Sequence, residues 1–211
     1  MVRITLVDLH GALTTEAQKQ GWSEITLLPW TNIKDIPLKH NTAFISPANS
    51  LGYQDGGIDY VLSRVMFPGL EPTLKKAIRN IGHKTLLGRF YLPIGSAVTV
   101  ETCKPGVFLI AAPTMWLPQD VRNTHNAYHA MYAIMKEASV RNFDEIYLCG
   151  LATGCGAMSA DNAIAQMKAA YDDFIAKRPP RYSAEDIKKE QPKYYENTEF
   201  KDIAAGEIVH Q

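Results

Sequence analysis

The chain has 211 residues, 46% hydrophobic and 21% charged, values that exclude wholesale disorder and suit one domain with a modest appendage. Its 22 basic and 22 acidic residues cancel, so no general nucleic-acid binding is expected, since that needs surplus Lys and Arg against phosphates. A neutral protein still has the means to hold one phosphate ester if backbone amides do the work.

In chain order, Ile4–Val7, Ile25–Leu28, Ala43–Ile45, Ala97–Val100, Val107–Ala112 and Glu145–Leu148 read as strands. The opening segment breaks its apolar run too early for a signal peptide. The run from Val107 to Ala112 lacks polar alternation, as expected of a central strand covered on both faces, and is far short of the ~20 residues that cross a bilayer. A soluble, cytoplasmic protein without membrane contacts is expected. Helical spacing links Ile58, Val61, Leu62, Val65 and Met66, stopped by Pro68-Gly69, and then Leu70, Leu74, Ala77, Ile78 and Ile81 before Gly82. Two further stripes run from Ala127 to Ala138 and from Ala160 to Phe174, the second with Ser159 as its N-cap. Strands interleaved with helices predict an α/β fold with helices on both faces of one sheet. The domain is placed at residues 1–177. Residues 178–211 form a polar extension, read as disordered, docked on the surface or used for partner contacts, with linker-like behaviour favoured. Arg178 and Arg181 in it look like solvated charge.

Two glycine-rich loops follow predicted strands and precede helices. One is Ser46-Pro47-Ala48-Asn49 through Gly56-Gly57-Ile58-Asp59; the other is Gly150-Leu151-Ala152-Thr153-Gly154-Cys155-Gly156-Ala157. In open α/β sheets ligands sit beyond the carboxyl ends of strands, and glycines let the backbone approach an oxygen-rich group without an intervening Cβ. Tight turns alone explain either loop equally well. Asn49 and Asp59 are not needed by a turn; together they suit vicinal sugar hydroxyls, although a first-turn acid at Asp59 also complements a helix dipole. Neither loop contains GxGxxG or GxxxxGK[ST].

These residues resemble the macro-domain family, whose N-A-A-N and G-G-V-D motifs match Ser46–Asn49 and Gly56–Asp59 at the same spacing and whose G-I-S-T-G loop matches Gly150–Gly154. Pro93–Val98 and Phe108–Pro113 follow that family's order, so the likeness covers about residues 25–176 and lies nearest a bacterial and phage branch. The resemblance implies a three-layer α/β/α sandwich with a mixed central sheet, enclosing an ADP-ribose pocket that uses no cofactor. It implies that Asn49 and Asp59 address the distal ribose. It places the diphosphate on amides around Gly56, Gly57 and Ile58 and around Thr153, Gly154, Cys155 and Gly156, with Ser46, Ala48, Pro113 and Ala157 completing the lining. Asn32-Ile33 stands where the family has a D-I pair meeting adenine, and a neutral acceptor there predicts weaker adenine preference.

The implied partner is ADP-ribose or an ADP-ribosylated protein, and the implied reaction is hydrolysis of an ADP-ribosyl linkage by water, with Asp59 and Asn49 catalytic. ADP-ribose-1″-phosphate dephosphorylation is a sibling reaction. Two departures favour a non-enzymatic reader instead: Ser46-Pro47 replaces Asn-Ala, and no aromatic follows Gly154. A degenerate assembly domain is the third reading. Tyr171 and Tyr182 are the candidates for an adenine-stacking ring, and Met115 and Trp116 either roof the pocket or pack a loop. Cys155 reads as a small loop residue rather than a nucleophile. No metal site is expected: there is no CxxC pair, and Asn126 stands where an H-E-x-x-H motif over His125 and His129 needs Glu.

Overall fold

The computed structural model describes residues 2–85 and 88–190. Six strands form its sheet: β1 (Arg3–Asp8), β2 (Thr26–Pro29), β3 (Thr42–Ser46), β4 (Val98–Glu101), β5 (Val107–Ala111) and β6 (Glu145–Leu148). Their order is β2-β1-β6-β3-β5-β4, parallel throughout except for the antiparallel edge pair β4–β5. The sheet is therefore mixed, with all six strands within a residue or two of their predicted positions.

Strand side chains alternate between faces, so neighbours in sequence serve different layers. Ile45, Ile110 and Ile146 enter a core with Met131, Ile134, Ile164 and Met167. Phe44, Leu109 and Tyr147 enter a second core with Phe67, Leu74 and Ile78. The first layer of helices holds α1 (Ala12–Lys19), α4 (Asn126–Arg141) and α5 (Ala160–Ile175); the opposite layer holds α2 (Gly57–Tyr60) and α3 (Leu70–Ile81). The predicted helix over 58–66 changes character midway. After α2 the chain widens into a π-helical stretch at Val61–Met66, closed by Phe67 N–H donating to the Leu62 carbonyl at 2.9 Å.

Helix α1 carries too little apolar periodicity to be read from sequence, burying only Thr14 and Ala17. Its start is set from outside the helix. The Asp8 carboxylate at the end of β1 accepts from the His10 and Thr14 amides, both at 3.1 Å.

The extension departs from the linker reading. Through Glu190 it packs on the domain and ends in α6 (Ala184–Glu190), with Ile187 buried. Arg178 and Arg181 stay exposed to solvent, yet both also pair with Asp173 of α5, whose side chain is 1% exposed and also accepts from the Tyr128 hydroxyl at 2.9 Å. Tyr182 stacks on His125, and Glu190 accepts from His125. Residues 191–211 of the extension lie outside the described residues. No helix among the described residues is long and apolar enough to cross a membrane.

Arg181 and Arg178 hold the Asp173 carboxyl below its ordinary value of 3.8, Arg181 contributing most. The stability that this pairing adds is present above that value and is lost as pH falls through the folded pKa. Arg181→Ala, which strips a buried carboxylate of its main donor, should cost about 1–3 kcal/mol near neutral pH. Urea unfolding of both proteins should show that gap narrowing in acid below 3.8.

Candidate functional site

Parallel pairing of β3 with β6 (Ala43 opposite Ile146, Phe44 opposite Tyr147) sends the two glycine-rich loops out of the same edge of the sheet, side by side. Between them lies a cavity of about 440 Å³ that also receives the chain after β1, β2 and β5. Its position beyond the strand carboxyl ends is the one that open α/β sheets reserve for ligands.

The loop after β3 is built around Asn49. Its side-chain oxygen accepts from the Leu51 amide (3.1 Å) and the Tyr53 amide (3.3 Å), and its nitrogen donates to the Tyr53 carbonyl (3.1 Å). Asn49 thus clamps the turn and keeps one N–H, while lining the cavity. Gly56 and Gly57 face open space, with no atom within 4 Å of an added Cβ. Gly57 has φ +55°, where a side chain is strained, whereas Gly56 is extended. In the loop after β6, a Cβ on Gly150 would meet Thr153 Oγ1 at 2.4 Å, so the loop folds on itself there. Nine residues lie between Gly150 and the first residue of α5, so the amides of this segment belong to a loop rather than to a helix start. Among the described residues, no protein acceptor takes the backbone N–H of Gly56, Gly57, Ile58, Thr153, Gly154 or Cys155. Two sets of unpaired donors therefore border one cavity.

Asp59 also lines the cavity, and its Oδ1 accepts from Ser46 Oγ at 2.6 Å. Ser46 in turn accepts from Gln54 Nε2 at 3.1 Å, and the Gln54 carbonyl is fixed by Ser63 Oγ at 2.8 Å. Burial raises the Asp59 carboxyl to about 7; the Ser46 hydroxyl opposes the rise and Asp55 adds to it. Cys149, also on the cavity wall, is pushed up to about 12 by burial and by the Asp59 charge, which leaves it a thiol rather than a nucleophile.

Of the residues singled out in sequence, Asn32, Ile33, Ala48, Asn49, Gly56, Gly57, Ile58, Asp59, Thr153, Gly154 and Cys155 meet at this cavity. Ser46 does not: it is fully buried and serves as the donor under Asp59. Pro113 is off the wall because Ala112 and Thr114 hydrogen-bond beneath the β3 loop, turning Thr114 and Met115 inward instead. Gly156 and Ala157 lie on the far side of their loop, where a Cβ on Gly156 would strike the Ala152 carbonyl oxygen at 2.3 Å. Neither tyrosine proposed for stacking reaches the cavity, since Tyr171 packs on Trp22 and Tyr182 on His125. Met115 lines it, whereas Trp116 is buried against Tyr91. Asn32 is partly occupied, accepting from the Lys34 amide at 3.2 Å. Sequence reasoning missed Asp8, Leu9 and His10, because nothing in their pattern places the β1 end beside two loops far along the chain.

The chain matches the family model described as Macro domain over residues 45–167, and it belongs to that family. An uncharacterized protein of Aeropyrum pernix is 28% identical over 149 residues, spanning 70% of this chain and 72% of that one. Among solved structures, the macrodomain of Mycobacterium tuberculosis DarG aligns with a TM-score of 0.54 at 15% identity, over 68% of this chain and 88% of that one. A mutant macrodomain of Oceanobacillus iheyensis, solved with ADPR, gives 0.54 at 16% identity over 74% and 85%. At these identities the likeness is one of fold.

Because its folded pKa of about 7 lies above the ordinary 3.8, Asp59 favours its protonated form in the folded state. Its contribution to stability is full below 3.8 and is lost as pH rises through about 7. Asp59→Asn keeps an acceptor for Ser46 and carries no charge. Its melting temperature should match wild type only below about pH 3.8 and then exceed it progressively, by about 2–4 °C or more at roughly pH 8.

Proposed function

We propose that the cavity binds ADP-ribose, or an ADP-ribosyl group on a protein, and hydrolyses its glycosidic linkage. The observation that carries this reading is the pair of unpaired amide sets bordering one cavity, Gly56–Ile58 and Thr153–Cys155, with Asp59 and Asn49 on its wall. Unpaired amides bordering a common space match a diphosphate, and among the described residues no lysine or arginine lines the cavity to meet its charge instead. Membership of the macro-domain family supports the same ligand, as does the ADPR bound to the Oceanobacillus iheyensis structure.

In the reaction, a water attacks the anomeric carbon of the distal ribose and the linked group leaves with the bonding pair. Asp59 as carboxylate accepts a hydrogen bond from that water and draws off its proton as the bond forms. A base with a pKa near 7 is matched to this task at neutral pH. Ser46 acts through Asp59, fixing one of its oxygens so that the other stays available. The amides hold the diphosphate still, and positioning supplies most of the acceleration.

A reader without turnover is the second reading. It is favoured by Asn49, whose side chain is largely committed to the Leu51–Tyr53 turn rather than to a sugar. Both readings predict binding, so calorimetry with ADP-ribose comes first. Gly56→Val, which is free of backbone strain but fills the cavity rim, should retain its melting temperature and lose most of its affinity. Release of label from a mono-ADP-ribosylated protein then separates the two. The hydrolase predicts a rate that climbs with pH through about 7, is abolished in Asp59→Asn, and shifts its midpoint upward in Ser46→Ala, which removes a donor to the carboxylate. Binding with no release at any pH identifies the reader.

A further inference from the structure

The cavity does not end at Asn49. Tyr53, whose amide and carbonyl Asn49 holds, forms its wall and also one wall of a second, shallower groove of about 310 Å³. Helix α3 forms the groove's base with Ile78 and projects Lys75 and Arg79, one turn apart, along the edge. Leu51 adds to the apolar base, and Arg89 and Phe90 close the far side. Lys84, paired with Phe90 across an antiparallel bridge, holds its ammonium 4.8 Å from the Phe90 ring centre. Among the described residues, three cations and no acidic residue line the groove. Glu71, the nearest acid in the ion pairs of α3, bridges Lys75 and Arg64. Such a concentration of one sign stands out in a chain whose charges balance.

We propose that this groove takes acidic side chains of the polypeptide that carries the ADP-ribosyl group. The inference rests on the ADP-ribose reading of the main cavity. With the distal ribose facing Asn49 and Asp59, whatever is attached to its anomeric carbon leaves past Tyr53 and enters the cationic groove. Carboxylates of an extended segment then meet Arg79 and the neighbouring Lys84, while its aliphatic stems lie on Leu51 and Ile78. A nucleic-acid strand suits the groove less well. Single strands are held largely by bases stacking on open aromatic faces. Here those faces are already covered: Lys75 Nζ sits 4.1 Å from the Tyr53 ring centre, and Arg79 and Lys84 flank the Phe90 ring.

The test uses the full chain and two mono-ADP-ribosylated peptides that differ only in flanking Asp and Glu, replaced by Asn and Gln in the second. Fluorescence polarisation should show the acidic peptide binding roughly fivefold to tenfold more tightly at low ionic strength, as several exposed ion pairs together provide. The difference should vanish at about 0.5 M salt, where the screening length is a few ångströms. Arg79→Glu combined with Lys84→Glu should erase the preference and leave free ADP-ribose affinity unchanged. Equal binding of the two peptides at low salt, a preference that survives the charge reversal, or tighter binding of an ADP-ribosylated oligonucleotide would overturn the proposal. Failure of free ADP-ribose to bind would instead overturn the reading of the main cavity. The unmodified acidic peptide, titrated alone, reports on the groove independently and should show the same dependence on salt and on Arg79.

Discussion

The pairing of β3 with β6 is the constraint on which the site depends. These strands are distant in sequence, yet their parallel register delivers both loops to one edge of the sheet at neighbouring positions. Had either strand run the other way, its loop would open on the opposite edge and the two sets of amides would share no ligand. The strands stay paired because they are buried on both faces, with isoleucines packing toward α4 and α5 and aromatic rings toward α3. The functional geometry is thus a consequence of ordinary core packing.

Around that frame, polar side chains are used chiefly to hold backbone. Asn49 fixes the turn that carries Tyr53, and Asp8 starts α1 from beyond its first residue. Ser46 sits beneath the cavity rather than in it and holds the Asp59 carboxyl from below. Burial and the neighbouring Asp55 raise the Asp59 carboxyl into the neutral range against the opposing effect of the Ser46 hydroxyl. A group so placed is costly to the fold as an anion.

Strand positions were legible because β-branched runs such as Val107–Ala111 admit little else, and α3, α4 and α5 announced themselves by apolar spacing. Helix α1 was not legible, since two buried residues leave no stripe to read and its cap comes from Asp8. That the extension docks rather than trails as a linker was not legible for a related reason. Arg178 and Arg181 look solvated when counted against nearby acids, and only the fold shows that their partner is a carboxylate sunk in α5. In the site, both glycine loops and Asp59 were recognisable from spacing. The inward or outward sense of Ser46, Pro113, Gly156 and Ala157 was not, because it is decided by hydrogen bonds to other loops that spacing does not encode.

The central claim is that two loops grip one ligand together. Backbone amide resonances followed during addition of ADP-ribose to the isotopically labelled chain test it residue by residue. The account predicts that Gly56, Gly57 and Ile58 shift together with Thr153, Gly154 and Cys155, all saturating at the same ligand concentration. Shifts confined to one loop, or saturating at different concentrations in the two, would contradict it.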